Sequence, residues 1–359
     1  MKRILCLIDS LGSGGAQRQM VGLATFLKDR GYDVVVAFYH PEMFFANSLL
    51  AKEVPYVYLK KARRSVTRIY YIARYIRKFK PDVVISYLFT PSICASLATL
   101  TNNSFKLIVS ERNTTQKTGF NELIRFLLFQ RAKYVVPNAY SQEEYIKSNF
   151  PSLKRKLITI PNFVDIDYFT PLVEKKRREV PEIMIAASIW ASKNTLGFID
   201  AIAMLRDRGY KFHVSWYGLN TIWGDYINQC YQKIDSFHLS DYIELKEKTA
   251  EIRDRYQDAD YFCLPSFYEG TPNVICEAMA CGLPVVCSDV CDNSRYVIEA
   301  ENGFLFNPYS SQSIVDAFMH LFSLSEKKYE DFCRRSRAIA QQKLSKDSFV
   351  ESYINLIEK

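Results

Sequence analysis

Apolar runs of strand length recur along the chain, bounded by Gly, Pro, Asn or Asp and mostly followed by stretches whose apolar residues have helical spacing. In the first half they fall at Arg3–Ile8, Asp33–Phe38, Val54–Leu59, Asp82–Tyr87, Lys106–Ser110 and Tyr134–Val136. In the second half they fall at Ile183–Ile189, His213–Tyr217, Tyr242–Leu245, Tyr261–Leu264, Val285–Cys287 and Gly303–Phe306. Strands alternating with helices are the rhythm of a doubly wound parallel sheet, and here the rhythm runs twice. Between the two sets lies PNFVDIDYFTP, Pro161–Pro171, followed by the charged run EKKRRE, which suits a connector. The pattern predicts an α/β chain of two Rossmann-like domains, residues 1–165 and 175–344, with a last helix over Lys346–Ile357.

The most informative stretch is ADYFCLPSFYEGTPNVICEAMACGLPVVCS, Ala259–Ser288. Tyr261–Leu264 reads as a strand, Asn273–Cys281 as a helix stopped by Gly282 and Pro284, and Val285–Cys287 as the next strand. Thr271 is the expected N-cap, with Pro272 at the first helical position, where a missing N–H costs nothing. Such a helix start offers unpaired N–H groups and the positive end of the dipole to a phosphate, and Gly270 allows close approach to the backbone. Glu277 lies five residues past Pro272, about 7.5 Å along the helix. That matches the reach from a diphosphate to a ribose, whose two hydroxyls a carboxylate can accept. Glu269 precedes the helix and would face the other end of the diphosphate. By position alone, an ordinary solvated helix residue is the better reading of Glu277.

A second phosphate candidate is the turn Gly12, Gly14, Gly15 between strand Arg3–Ile8 and helix Ala16–Asp29, although it is not a full GxGxxG fingerprint. Gly14 and Gly15 serve equally as shapers of a tight turn. A third is Lys193 in AASIWASKNTLGF, beside a helix beginning near Asn194, a pairing able to hold a diphosphate. Gly218, just after strand His213–Tyr217, completes the donor-side candidates. Asp165, Ile166 and Asp167 spell DxD, but their place in the connector makes structure the better reading, and no metal is expected there.

Glu269 and Glu277, with seven residues between them inside PSFYEGTPNVICEAMACGLPVV, resemble the signature of the retaining glycosyltransferases of family 4. The resemblance extends to GGAQ (Gly14–Gln17), which is similar to the family's GGAE-type turn, and to PNFVD, similar to its PNGVD segment with Phe163 where glycine is common. It implies a GT-B fold, two Rossmann-like domains facing a cleft, with the terminal helix 345–359 crossing back to the first. It implies transfer of a sugar from a nucleotide diphosphate with retained configuration. Glu269 and Lys193 are then catalytic, and Glu277, Gly270, Thr271, Pro272, Asn273, Asn194 and Gly218 bind the donor. Family members usually carry an Arg five residues before the Lys, where this chain has Ser188, and a His after the strand Lys106–Ser110. That place reads SERNTT here, and His40, His213, His238 and His320 all lie elsewhere. Glu111 and Arg112, with Gly14 and Gly15, become the cleft and acceptor candidates, the first two serving equally well as a surface ion pair.

Composition narrows the partners. The chain has 359 residues, 48% of them hydrophobic and 24% charged, as in a soluble globular protein of two domains. A net charge of +8 admits nucleic acid, an anionic membrane or an anionic substrate, but no nucleic-acid motif is present. The charge is concentrated in KKARRSVTRIYYIARYIRKFK, Lys60–Lys80, with nine basic residues and no acid. Interleaved Ile69, Tyr70, Ile72, Tyr75 and Ile76 make it a basic helix with an apolar stripe, suited to its own core and to an anionic membrane surface. Nine cysteines without a CxxC pair argue for free thiols in a reducing cytoplasm, and no zinc is expected. The start MKRILCLIDSLGSGG has too short an apolar run for a signal peptide. The uncharged span Val83–Phe105 reads as a strand and a buried helix rather than a membrane span, because of Pro91 and its polar residues. The expectation is a cytoplasmic enzyme on the inner face of the membrane, without cofactor, extending a lipid-linked glycan of a bacterial-type surface polysaccharide, O-antigen or capsule, from a UDP-sugar. Two alternatives are a nucleotide-sugar epimerase of the same fold and a non-catalytic sugar-nucleotide-binding scaffold.

Overall fold

A computed structural model describes residues 1–112, 118–173, 175–219 and 224–359. Glu174 of the charged connector and residues 113–115 of the SERNTT segment lie outside them. Six parallel strands, β1 (Arg3–Leu7), β2 (Asp33–Phe38), β3 (Tyr56–Tyr58), β4 (Val83–Tyr87), β5 (Lys106–Glu111) and β6 (Tyr134–Pro137), form one sheet in the order β3-β2-β1-β4-β5-β6. Six more, β7 (Glu182–Ala186), β8 (His213–Leu219), β9 (Ile243–Glu247), β10 (Tyr261–Leu264), β11 (Val285–Ser288) and β12 (Gly303–Phe306), form a second, β12-β11-β10-β7-β8-β9. Numbered from its own first strand, each sheet has the doubly wound 3-2-1-4-5-6 order. The chain divides into two units, Met1–Phe163 with Lys346–Lys359, and Val164–Ser345.

The strands are apolar throughout because both faces are covered. In β1, Ile4 and Cys6 enter the core under helices Gly15–Asp29 and Lys346–Glu358, while Leu5 and Leu7 enter the core under Ser65–Phe79, Phe89–Ala98 and Phe120–Phe129. Each fully buried Leu or Ile contributes about 1.5–3 kcal/mol relative to exposure. The span Val83–Phe105 is strand β4 followed by the largely buried helix Phe89–Ala98, and among the described residues no helix is long and apolar enough to cross a membrane. Seven of the nine cysteines are buried as small core residues, and burial pushes the Cys6 thiol up to about 12.

The terminal helix Lys346–Glu358 is tied into the first unit. Lys2 and Lys106 donate to the carbonyl of Ile357 at 2.9 and 2.8 Å, satisfying an orphan acceptor of its last turn. Phe163, which replaces an expected glycine, is accommodated by another glycine. A Cβ on Gly22 would lie 2.3 Å from the Phe163 ring, which packs against Phe26 and Phe349 at 4.9 and 5.0 Å. The buried Gln19 amide donates to the Phe163 carbonyl at 2.8 Å and accepts its N–H at 3.0 Å, a side-chain imitation of strand pairing. In the DxD triplet, Asp165 accepts the N–H groups of Asp167 and Tyr168, both at 3.2 Å, so its carboxylate closes a turn.

Candidate active site

In a doubly wound sheet, ligands bind outside the carboxyl ends of the strands where the winding reverses. In the second unit that point lies between β7 and β10, neighbours whose onward connections go opposite ways. The loops leaving these two strands carry Lys193 and Glu269. Phe267 donates its N–H to the Ser192 carbonyl at 3.0 Å, stitching the loops together. The Lys193 ammonium donates to Glu269 Oε1 at 2.5 Å, with side chains 25% and 14% exposed. Lys193 is therefore a partly shielded cation held by a carboxylate, not a freely solvated lysine.

Local backbone demands explain the neighbours. Asn194 sits at φ 57°, ψ 35°, a left-handed position that Asn tolerates better than most residues, and helix Thr195–Asp207 begins after it. Its buried amide donates to the Pro308 carbonyl at 2.8 Å, fastening the loop after β12. On that loop Tyr309 stacks on Phe267 at 4.9 Å. Gly218 has φ 154°, and a Cβ there would lie 1.9 Å from the Ala187 carbonyl oxygen, so only glycine lets β8 pass the loop leaving β7. Both Asn194 and Gly218 thus position the Lys193 loop.

Helix Asn273–Ala280 starts one residue later than its sequence suggests. Pro272, at φ −77° and ψ 95°, is the N-cap, and its carbonyl accepts from Cys276 at 3.2 Å. Thr271 precedes the cap, because the extended ψ of Pro272 leaves that residue only half in the helix. The solvated reading of Glu277 is overturned: the residue is 5% exposed and accepts the Tyr256 hydroxyl at 3.1 Å. This helix packs on helix Glu326–Lys343 and inserts Ile275, Cys276, Ala278 and Met279 into the core. Burial first, and the Glu277 carboxylate second, push the Cys281 thiol up to about 12. Tyr256, from helix Ile252–Asp258, had no local signal in the sequence, since its partner lies 21 residues away.

In the first unit the same kind of point lies between β1 and β4. Gly14 and Gly15 are exposed there, and Gly14 is the N-cap of helix Gly15–Asp29 at φ −79°, where a Cβ would meet the Gln17 amide oxygen at 2.2 Å. Asp9 accepts from the Ser10 N–H at 2.6 Å and the Gln17 amide at 2.9 Å, which shapes the turn. Glu111 and Arg112 do not form a surface ion pair with each other. Glu111 pairs with Arg125 at 3.1 Å, both about 97–98% buried. Arg112 stacks 4.1 Å from the Tyr87 ring centroid and donates to Asn162 at 2.5 Å and to the Tyr353 hydroxyl at 2.8 Å. Its guanidinium therefore ties β5 to the residues before Phe163 and to the terminal helix. Burial holds the Tyr87 hydroxyl, which donates to Tyr353 at 2.9 Å, well above the usual phenol range.

Comparison with known proteins bears on both units. A family model described as Glycosyltransferase Family 4 matches residues 13–168, and one described as Glycosyl transferases group 1 matches residues 180–323. An uncharacterized glycosyltransferase of Haemophilus influenzae is 24% identical over 349 residues, covering 95% of this chain and 96% of its own. The Campylobacter jejuni N-acetylgalactosamine-N,N'-diacetylbacillosaminyl-diphospho-undecaprenol 4-alpha-N-acetylgalactosaminyltransferase is 22% identical over 380 residues, covering 97% and 98%. Anabaena HepE, solved in complex with UDP and glucose, superposes with a TM-score of 0.85 at 18% identity, each chain covered completely, which shows the GT-B fold.

Proposed function

Since the chain belongs to the group 1 glycosyltransferases of family 4, we propose that it transfers a hexose from a UDP-linked donor, with retained anomeric configuration, to a hydroxyl of a lipid-linked glycan in surface polysaccharide synthesis. The observation that carries this reading is the meeting of Lys193 and Glu269 at the reversal point of the second sheet, beside a helix start with a buried carboxylate one turn beyond. The Campylobacter relative acts, by its name, on a diphospho-undecaprenol-linked glycan, and the Anabaena neighbour holds UDP and glucose. Both support the donor and acceptor classes.

In this reading the diphosphate lies on the N–H groups at the start of Asn273–Ala280, from Gly270 and Thr271 onward, where the helix dipole favours negative charge. Glu277, held by Tyr256, accepts the ribose hydroxyls. Lys193 neutralises the departing diphosphate, while Glu269, its present partner, turns to the donor sugar. The bond from the anomeric carbon to the phosphate oxygen breaks, and one to the acceptor oxygen forms on the same face. The acceptor proton passes to the leaving phosphate, so no separate base is required. Preorganised donors and one cation lower the barrier chiefly by stabilising this leaving charge, without metal or cofactor. The basic run Lys60–Lys80 would hold the enzyme peripherally on the cytoplasmic face of the membrane, where the acceptor is anchored. Arg68 takes no part in that contact, because it stacks 4.4 Å from the Tyr39 ring centroid and donates to the carbonyls of Ala62 and Arg63.

A thermal-shift screen over nucleotide sugars, followed by transfer to a diphospholipid-linked glycan, tests the proposal. Stabilisation by a UDP-sugar and an axial product from an axial donor are expected. An inverted product, or stabilisation by no nucleotide sugar, would overturn it.

A further inference from the structure

One helix of the first unit is apolar on both sides. Phe120–Phe129, FNELIRFLLF, sends Phe126 and Phe129 into the core beneath it. Its outer side carries Phe120, Leu123, Ile124 and Leu127, which are 76%, 51%, 38% and 70% exposed. The spacing i, i+3, i+4, i+7 makes these one stripe about 10 Å long. A lone exposed leucine is ordinary, but four in one stripe form a patch. Neither charge on the helix interrupts it: Glu122 accepts the Gly119 N–H at 3.1 Å, and Arg125 is buried against Glu111. A helix apolar all round is one that is covered when it works.

What covers it follows from its neighbours. Helix Phe89–Ala98 packs against both this helix and Ser65–Phe79, and all three feed one core on a single face of the sheet. The stripe therefore shares its side of the unit with the basic run. There Arg63, Arg64, Arg74, Arg77 and Lys78 are exposed, and among the described residues none of them forms an ion pair. Val66 and Tyr70, 96% and 58% exposed, add apolar surface between these charges. Both helices follow a parallel strand and return from its carboxyl end, so Val66 and Phe120 start from the same edge of the sheet. A second copy placed face to face would set this positive charge against itself. An anionic bilayer offers the opposite charge at its surface and an apolar boundary just beneath. We infer that Phe120–Phe129 is the inserting half of a membrane-docking face, its stripe entering the acyl boundary while the basic helix holds anionic headgroups. The inference rests on the membrane-bound reading above and adds a component of binding that salt does not remove.

The test uses the full chain, with vesicles of phosphatidylcholine alone or mixed with phosphatidylglycerol. The parent should sediment with the anionic vesicles and stay partly bound at high salt. Phe120→Ser with Leu127→Ser should weaken partitioning by roughly tenfold per side chain and abolish the salt-resistant fraction. Stabilisation by UDP should be unchanged. Arg74→Gln, Arg77→Gln and Lys78→Gln together should remove mainly the salt-sensitive part. In a Phe120→Trp variant, bilayer brominated lipids should quench fluorescence beyond that of the parent. If the parent binds anionic vesicles and the serine pair binds them equally, with no added quenching, the inserting helix is refuted while the membrane reading stands. No vesicle binding by the parent removes both. A parent dimer that the serine pair dissociates would assign the stripe to a second copy and also overturn the inference.

Discussion

Replacing Glu277 by Gln tests the donor site with little disturbance of the fold. The amide keeps the volume of a side chain that is 5% exposed and still offers an oxygen to the Tyr256 hydroxyl 3.1 Å away. What it loses is charge. A hydrogen bond to a charged group is worth about 1.5–3 kcal/mol and a neutral one about 0.5–1.5, so each ribose hydroxyl should lose about 1–1.5 kcal/mol. Two hydroxyls give about 2–3 kcal/mol, or roughly 30- to 150-fold in the Kd for UDP. Titration calorimetry should be run with UDP and with 2′-deoxy-UDP on both proteins. The parent should discriminate strongly against the deoxynucleotide and Glu277→Gln only weakly, because the two changes remove the same contact. Equal UDP affinity in parent and variant, or equal discrimination in both, would refute a ribose role for this carboxylate.

Lys193→Ala should lower kcat by about a hundredfold or more, the scale of losing one group that stabilises a developing anion. Steady-state kinetics check this, and Ser188→Arg in the same background should restore part of the rate by supplying a cation on the same loop. Transfer should persist in excess EDTA, and full loss reversed by magnesium or manganese would count against a metal-free mechanism. His213, away from the site, tests pH linkage. A hydrogen bond donated by its Nδ1–H to Glu182, against a smaller opposing effect of burial, raises its pKa above 6.5. Stability from this pair is therefore fully present below about pH 6.5 and lost as pH rises through the raised value. The Tm difference between parent and His213→Gln should accordingly be larger near pH 6 than near pH 9, and a constant difference would exclude the linkage.

The two sheets were legible because their strands are apolar runs between turn residues, a signal that needs no knowledge of neighbours. Asp33–Phe38, Tyr261–Leu264 and Gly303–Phe306 are strands at the bounds the pattern predicts. The run Val54–Leu59 shrinks to Tyr56–Tyr58 because β3 is an edge strand paired on one side only. The side chains of Glu111 and Arg112 could not be placed in advance. Their partners Arg125, Asn162 and Tyr353 come from three other segments, whereas the adjacent opposite charges suggested a local pair; Glu111 ends β5 with its carboxylate buried against Arg125, and Arg112 follows the strand.

Lys193 and Glu269 show why part of the site could be read and part could not. Each lies just past an apolar strand, and its own neighbourhood therefore puts it on a loop between a strand and a helix start. That the two loops adjoin is a matter of strand order, which places β7 beside β10 although two strands intervene in the chain. Glu277 is the converse case. A helical carboxylate in isolation is expected in water, whereas this one is 5% exposed and is reached by the hydroxyl of Tyr256, 21 residues earlier in the chain. Burying a carboxylate is costly unless hydrogen bonds offset it, and the Tyr256 hydroxyl 3.1 Å away supplies one of them. In the proposed mechanism the ribose hydroxyls add to it. The carboxylate is then held ready for a ligand by the packing that removes it from solvent.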